Sequence, residues 1–252
     1  MVKPRIRFDL DLLPVSVIAN QWYCEKAIDL HYRHPKIDFF SPELALGTAE
    51  HELLSSEAKL LTEPEMKKLI KSGKAISLRE VPFEGTFRGV KIKGYPDYVE
   101  IEGGNVLLVL DYKFSKHRRV FPSQRIQVDT YGYLLHRNKL NTKNLICGIA
   151  IISPELSSQF DIREDITVQT YALVSEMRRK KLDKVNYPKS PELFGGLMWF
   201  SLSRAERNLN WAIDYWTSKR RPVPTTKAQK CGGCSFNSAG LCRFALVAAE
   251  TY

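Results

Sequence analysis

The stretch that most limits what this chain can fold into is GYPDYVEIEGGNVLLVLDYK, from Gly94 to Lys113. Residues 98–102 alternate in polarity, Gly103-Gly104 supplies a turn, and Asn105–Phe114 is rich in Val and Leu, which together predict a β-hairpin. A strand carrying the run VLLVL is a buried one, so charged residues at its end are costly unless paired or metal-bound. Those residues are Asp111 and Lys113. Two apart in a strand, they leave the same face, and Asp97, just ahead of the partner strand, can come back alongside them. Two carboxylates beside an ammonium suit a hard cation, Mg²⁺ or Mn²⁺, whose bound water can become a nucleophile.

At 252 residues the chain can bury one full core, and residues 1–252 read as a single domain without repeats. No apolar run approaches the ~20 residues needed to span a bilayer, and the first residues lack the apolar segment of a secretion signal. A cytoplasmic protein with no membrane association is therefore expected. The net charge of +10, from 38 Lys and Arg against 28 Asp and Glu, attracts polyanions such as nucleic acid.

Taken in order, Val17–Tyr32 reads as a helix carrying Cys24. Ser41-Pro42 opens a second helix, to about Leu61, whose apolar stripe holds His51 one turn after Gly47. Thr62–Glu65 is a further capping box. Ala75–Glu84 and Thr86–Lys93 read as strands leading into the hairpin. Beyond it, KFSKHRRVFPSQR brings Lys116, Arg118, Arg119 and Arg125 close to the acid pair, as a rim that could contact phosphates. Ser123–Arg137 is helical, with Gln127 and Tyr131 on one face. Leu145–Ile152 reads as a strand with Cys147 in the core, and the stretch from there to Pro191 mixes strand and helix signals. Leu197–Leu202 reads as a strand, and Ser203–Glu206 caps a helix that bears Trp211 and Trp216.

The tail CGGCSFNSAGLC places Cys231, Cys234 and Cys242 close together, and in a reducing compartment three such thiols point to a soft metal. A fourth ligand must come from far away. Cys24 is favoured over the core residue Cys147, with His31 and His34 as fallbacks. One knuckle, one further Cys and one remote Cys suit an iron–sulfur cluster better than a zinc ribbon, which usually brings two knuckles. Either metal would close a loop over most of the chain and staple its two ends.

With both ends and the hairpin in view, the chain resembles the RecB-like branch of the PD-(D/E)xK nucleases, and more narrowly the CRISPR-associated exonucleases that carry a four-cysteine cluster. The resemblance rests on Gly47-x3-His51, Gly94-x2-Asp97, Asp111-x-Lys113, Gln127-x3-Tyr131 and the four cysteines, in the family's order. It implies an α/β fold, a restriction-endonuclease-like mixed sheet flanked by helices, with a catalytic core near residues 41–155. The N- and C-terminal segments would be joined at the cluster, 4Fe-4S in preference to 2Fe-2S, on Cys24, Cys231, Cys234 and Cys242. It implies Mn²⁺ or Mg²⁺ on His51, Asp97, Asp111 and the main chain of Tyr112, with Lys113 as the catalytic lysine and Gln127 and Tyr131 orienting the DNA. The expected activity is exonuclease cleavage of single-stranded DNA or DNA ends for CRISPR spacer acquisition, beside the integrase complex; an oligomer is compatible with this. The alternatives are a RecB-like repair or viral nuclease, a non-catalytic iron–sulfur module that binds nucleic acid, and a redox protein.

Overall fold

The computed structural model describes residues 4–37, 64, 67, 68, 71–156 and 162–246. Gly47, His51 and the helix expected over 41–61 lie outside the described residues, as do Thr62, Glu63 and Glu65.

The expected hairpin is present: β5 (Tyr98–Glu102) and β6 (Asn105–Phe114) pair antiparallel across Gly103 and Gly104. Their φ values of 54° and 79° form a left-handed turn that glycine adopts without steric cost. Register slips at Leu107, which has no partner between the pairs Glu100–Leu108 and Ile101–Val106, so β6 carries a bulge. On its other edge β6 runs parallel to β7 (Ile146–Ile152). A parallel pair needs a crossover, and α2 (Pro122–Arg137) supplies it. The sequence of β7, ICGIAII, is buried along its whole length, as a strand covered on both faces must be.

The full sheet has the order β2-β5-β6-β7-β9-β8, with β2 (Ile76–Leu78), β9 (Leu193–Trp199) and β8 (Lys184–Asn186) antiparallel to their neighbours. Two apolar clusters separate by face. One joins Val99, Val109 and Ile149 to α1 (Val15–Arg33), α2 and α4 (Leu202–Trp216). The other joins Tyr98, Leu110 and Tyr112 to α3 (Ile162–Lys180). A small second sheet holds β1 (Leu13–Pro14), β4 (Val90–Gly94) and β3 (Phe83–Phe87). Two short helices, α5 (Ala228–Gly232) and α6 (Ser235–Ser238), carry the C-terminal cysteines. The architecture is therefore a mixed sheet flanked by helices.

Three expectations are corrected in detail. The strand foreseen over 75–84 is two strands in different sheets, because Glu80 turns the chain at φ 51° and gives its N–H to the Pro96 carbonyl at 3.1 Å. The strand foreseen over 86–93 is interrupted by a turn at Arg88-Gly89, with φ 49° and 81°. In the third, β9 ends at Trp199, and Ser201 rather than Ser203 caps α4, its hydroxyl accepting from the Arg204 N–H at 3.3 Å. The stretch the sequence left unassigned is mostly α3. Among the described residues no helix is long and apolar enough to cross a membrane.

Candidate active site

Asp111 and Lys113 leave the same face of β6 near its end, as their spacing requires. Asp111 is fully buried, and the Lys113 ammonium lies 3.2 Å from its Oδ1 and 2.9 Å from its Oδ2. Asp97 stands immediately before β5, where the ladder gives way. Its Oδ2 accepts the Tyr112 N–H at 2.6 Å, while the neighbouring Pro96 carbonyl accepts from Glu80. The Tyr112 peptide thus fastens Asp97 beside the strand that carries Asp111. Burial pushes the Lys113 ammonium down, but the Asp111 and Asp97 carboxylates outweigh it and hold the lysine above its ordinary range. Lys113 is therefore a cation at neutral pH.

The Tyr112 side chain points the other way, onto α3. Its hydroxyl bonds Thr167 Oγ1 at 2.8 Å, and burial pushes its pKa up to about 12. Only its main chain belongs to the site face.

On α2, Gln127 Nε2 donates to the Tyr131 hydroxyl at 2.9 Å. Burial first, then the charges of Asp111 and Asp97, push Tyr131 well above the usual tyrosine range, so it remains a neutral phenol beside the acids. Gly94 makes this approach possible. A Cβ there would stand 2.7 Å from Tyr131 Cε1 and 2.5 Å from Val15 Cγ2. The structure therefore gathers Asp97, Asp111, Lys113, Gln127 and Tyr131 at one end of the central strand.

One pair was missed. Arg163, at the start of α3, reaches Glu80 Oε1 at 3.4 Å and lies over the Tyr112 ring at 5.3 Å. Its charge is felt by Lys113. No local sequence pattern marks this pair, because Arg163 falls in the stretch that mixes strand and helix signals.

Two carboxylates fixed around one peptide, in a sheet end shared with a half-buried lysine, are hard oxygen donors that fit a divalent cation. Among the described residues no group of three or more His, Cys, Asp or Glu is arranged to hold a metal, and the third expected ligand, His51, lies outside them.

Midway along α1 the helix breaks at Cys24, where φ is −164° and ψ 107°. The break frees backbone groups that would otherwise bond within the helix. Lys230 Nζ caps the Trp22 and Tyr23 carbonyls at 3.3 and 2.8 Å, and the Lys26 N–H goes to the Val223 carbonyl at 3.3 Å. Cys24, Cys231, Cys234 and Cys242 all line one small cavity there. Burial raises the Cys24 thiol, opposed by the N–H groups of Thr225, Ala27 and Lys26 that face its sulfur. Cys147 is elsewhere, buried under α2 with its thiol directed at the Val128 carbonyl.

A mixed sheet with an acid and a lysine on its central strand, and a second acid fastened beside them, is the arrangement of a nuclease fold. A family model of the PD-(D/E)XK nuclease superfamily matches residues 26–243, and the chain belongs to that superfamily. Its membership makes it a metal-dependent nuclease by class, with nucleic acid as the substrate and Mg²⁺ or Mn²⁺ as the metal. A search of curated proteins finds no match. Among solved structures, one titled "Crystal structure of SSO0001" is 14% identical, with a TM-score of 0.49, over 94% of this chain and 88% of that one.

Proposed function

We propose that this protein is a metal-dependent exonuclease that hydrolyses single-stranded DNA or DNA ends, and that it trims DNA for CRISPR spacer acquisition beside the integrase complex. The observation that carries the cleavage reading is the convergence of Asp97, Asp111 and Lys113 around the Tyr112 peptide. Asp97 and Asp111 would hold Mn²⁺ or Mg²⁺, together with His51 and the Tyr112 carbonyl. When bound, the ion supplies Lewis acidity and an ionised water. Lys113, a fixed ammonium, orients the attacking oxygen and offsets charge that develops on the phosphorus oxygens. Tyr131, kept neutral by burial and the two acids while its hydroxyl accepts from Gln127, supports the lysine side of the site and the scissile strand. The basic loop after β6 adds contacts to phosphate that do not depend on sequence. The four cysteines around the Cys24 break would carry an iron–sulfur cluster, 4Fe-4S in preference to 2Fe-2S, as a staple between the two ends of the chain.

The test is cleavage of end-labelled single-stranded DNA with Mn²⁺, beside Lys113→Met. The variant should lose roughly 10²- to 10³-fold in rate. Its melting temperature should rise more with Mn²⁺ than that of the wild type, because two carboxylates then lack their ammonium. Retained cleavage by the variant, or equal metal responses, would remove Lys113 and the acid pair from the reaction.

A further inference from the structure

Asp97 is held at two points, and both holders lead to one residue. Just ahead of it in the chain, the Pro96 carbonyl accepts the Glu80 N–H at 3.1 Å. At its carboxylate, Oδ2 accepts the Tyr112 N–H at 2.6 Å. Glu80 keeps a φ of 51°, which a glutamate seldom adopts, so this turn persists only where its surroundings hold it. Arg163 reaches the turn from the start of α3, its Nη1 donating to Glu80 Oε1 at 3.4 Å.

The same residue grips Tyr112. Its guanidinium lies 5.3 Å from the centre of the Tyr112 ring, within the range of a cation–π contact, and its carbonyl accepts from the Thr167 hydroxyl at 2.6 Å. With its one proton given to Arg163, the Thr167 hydroxyl accepts from that of Tyr112, 2.8 Å away. Glu80, Asp97, Tyr112 and Thr167 are all buried, and only 13% of the Arg163 side chain is exposed, so these contacts are shielded from water. Arg163 stands on the side of the sheet to which the Tyr112 ring points, whereas Asp111 and Lys113 leave the other face. It therefore acts on the site through its neighbours and not on the reacting atoms.

We infer that Arg163 is a positioning residue, which locks the Glu80 turn and the Tyr112 side chain together and so sets where the Asp97 carboxylate meets a metal ion. This rests on the nuclease reading above and deepens it, by naming the residue that tunes the affinity of the acid pair for its cation. Groups that orient a metal ligand from behind govern metal affinity about 10- to 100-fold, because a carboxylate that swings away from its best geometry loses the ion it would hold. The first turn of α3 thereby becomes part of the active site without touching it.

The test reads Mn²⁺ binding directly, from the electron paramagnetic resonance of the free ion titrated into the whole protein without DNA. Only binding that is lost in Asp111→Ala is counted. Arg163→Met keeps an apolar stem against Tyr112 and removes the charge, so the Kd for Mn²⁺ should rise roughly tenfold. Arg163→Lys, which keeps a cation over the ring, should restore part of that loss. Glu80→Gln keeps the shape and should weaken Mn²⁺ binding by a smaller factor; it carries the test alone if Arg163→Met does not fold. Adding Glu80→Gln to Arg163→Met removes a buried carboxylate that has lost this guanidinium, so the melting temperature should recover in part while Mn²⁺ affinity stays low. Variants that melt lower yet bind Mn²⁺ as the wild type does would make the Arg163 contacts purely structural, and would overturn the inference while the nuclease reading stands. Mn²⁺ affinity that recovers along with the melting temperature in the double variant would do the same. A wild type that neither cleaves DNA nor shows Mn²⁺ binding lost in Asp111→Ala would overturn both.

Discussion

Gly94 decides how near Tyr131 stands to the acids. An alanine there would meet Val15 and Tyr131 at 2.5 and 2.7 Å, well inside contact distance, with packed core on both sides. Overpacking of this kind costs about 1–3 kcal/mol. Gly94→Ala should lower the urea midpoint and reduce cleavage beyond what the unfolded fraction explains, because the Tyr131 ring must move. If activity per folded molecule stays at the wild-type level, Tyr131 does not position the site. At this scale the acids and the lysine were legible because strand period is local: Asp111 and Lys113 share a face by counting, and Asp97 stands where a hairpin partner begins. Glu80 and Arg163 were not, since they lie 83 residues apart and neither fits a local pattern.

Between elements, α2 and α4 are fastened by one charged contact inside an apolar interface. Arg204 donates from Nε and Nη2 to the two oxygens of Asp129, each at 2.7 Å, and Asp129 is almost fully buried. Burial holds the Asp129 carboxyl above its ordinary 3.8, with Arg204 opposing. A carboxyl whose folded-state pKa is raised loses stability for the protein as pH climbs from its unfolded value through its folded one. Removing the guanidinium raises that upper limit. Arg204→Ala should therefore match the wild type most closely near about pH 4 and fall behind by roughly 3 kcal/mol at neutral pH, by urea unfolding at each pH. A deficit that shrinks as pH rises would show that Asp129 is not the group responsible. Helices α1, α2 and α4 were readable from residue pattern, whereas α3 was not. Strand ends were not, because the breaks at Glu80 and Arg88-Gly89 depend on backbone partners across the fold and on left-handed residues that carry no turn signature in the first case. Ser201 and Ser203 are equally good caps by residue type, and the end of β9 chose between them.

At the scale of the molecule, a polar clasp joins the first helix to the segment after α4. Glu25 is fully buried and takes two guanidinium N–H groups of Arg220 and the Val223 N–H, the last at 2.8 Å. Arg7 donates to the Tyr215 and Arg220 carbonyls at 2.6 and 2.9 Å. Glu25→Ala leaves Arg220 without its carboxylate and should cost about 3–5 kcal/mol. Limited proteolysis should then cut first in the loop around residues 221–227, even with the cysteines intact; cutting elsewhere would mean that the cysteine site alone holds the tail. The spacing of Cys231, Cys234 and Cys242 is legible in the sequence, but this polar clasp is not, because its members are scattered among ordinary surface-type residues. It also sets a schedule for synthesis. Glu25 leaves the ribosome 195 residues before Arg220, about 10–40 s at ordinary elongation rates of ~5–20 residues per second. For that interval the first helix holds a carboxylate whose guanidinium partner does not yet exist, so the nascent chain must wait for Arg220 before its first helix can settle.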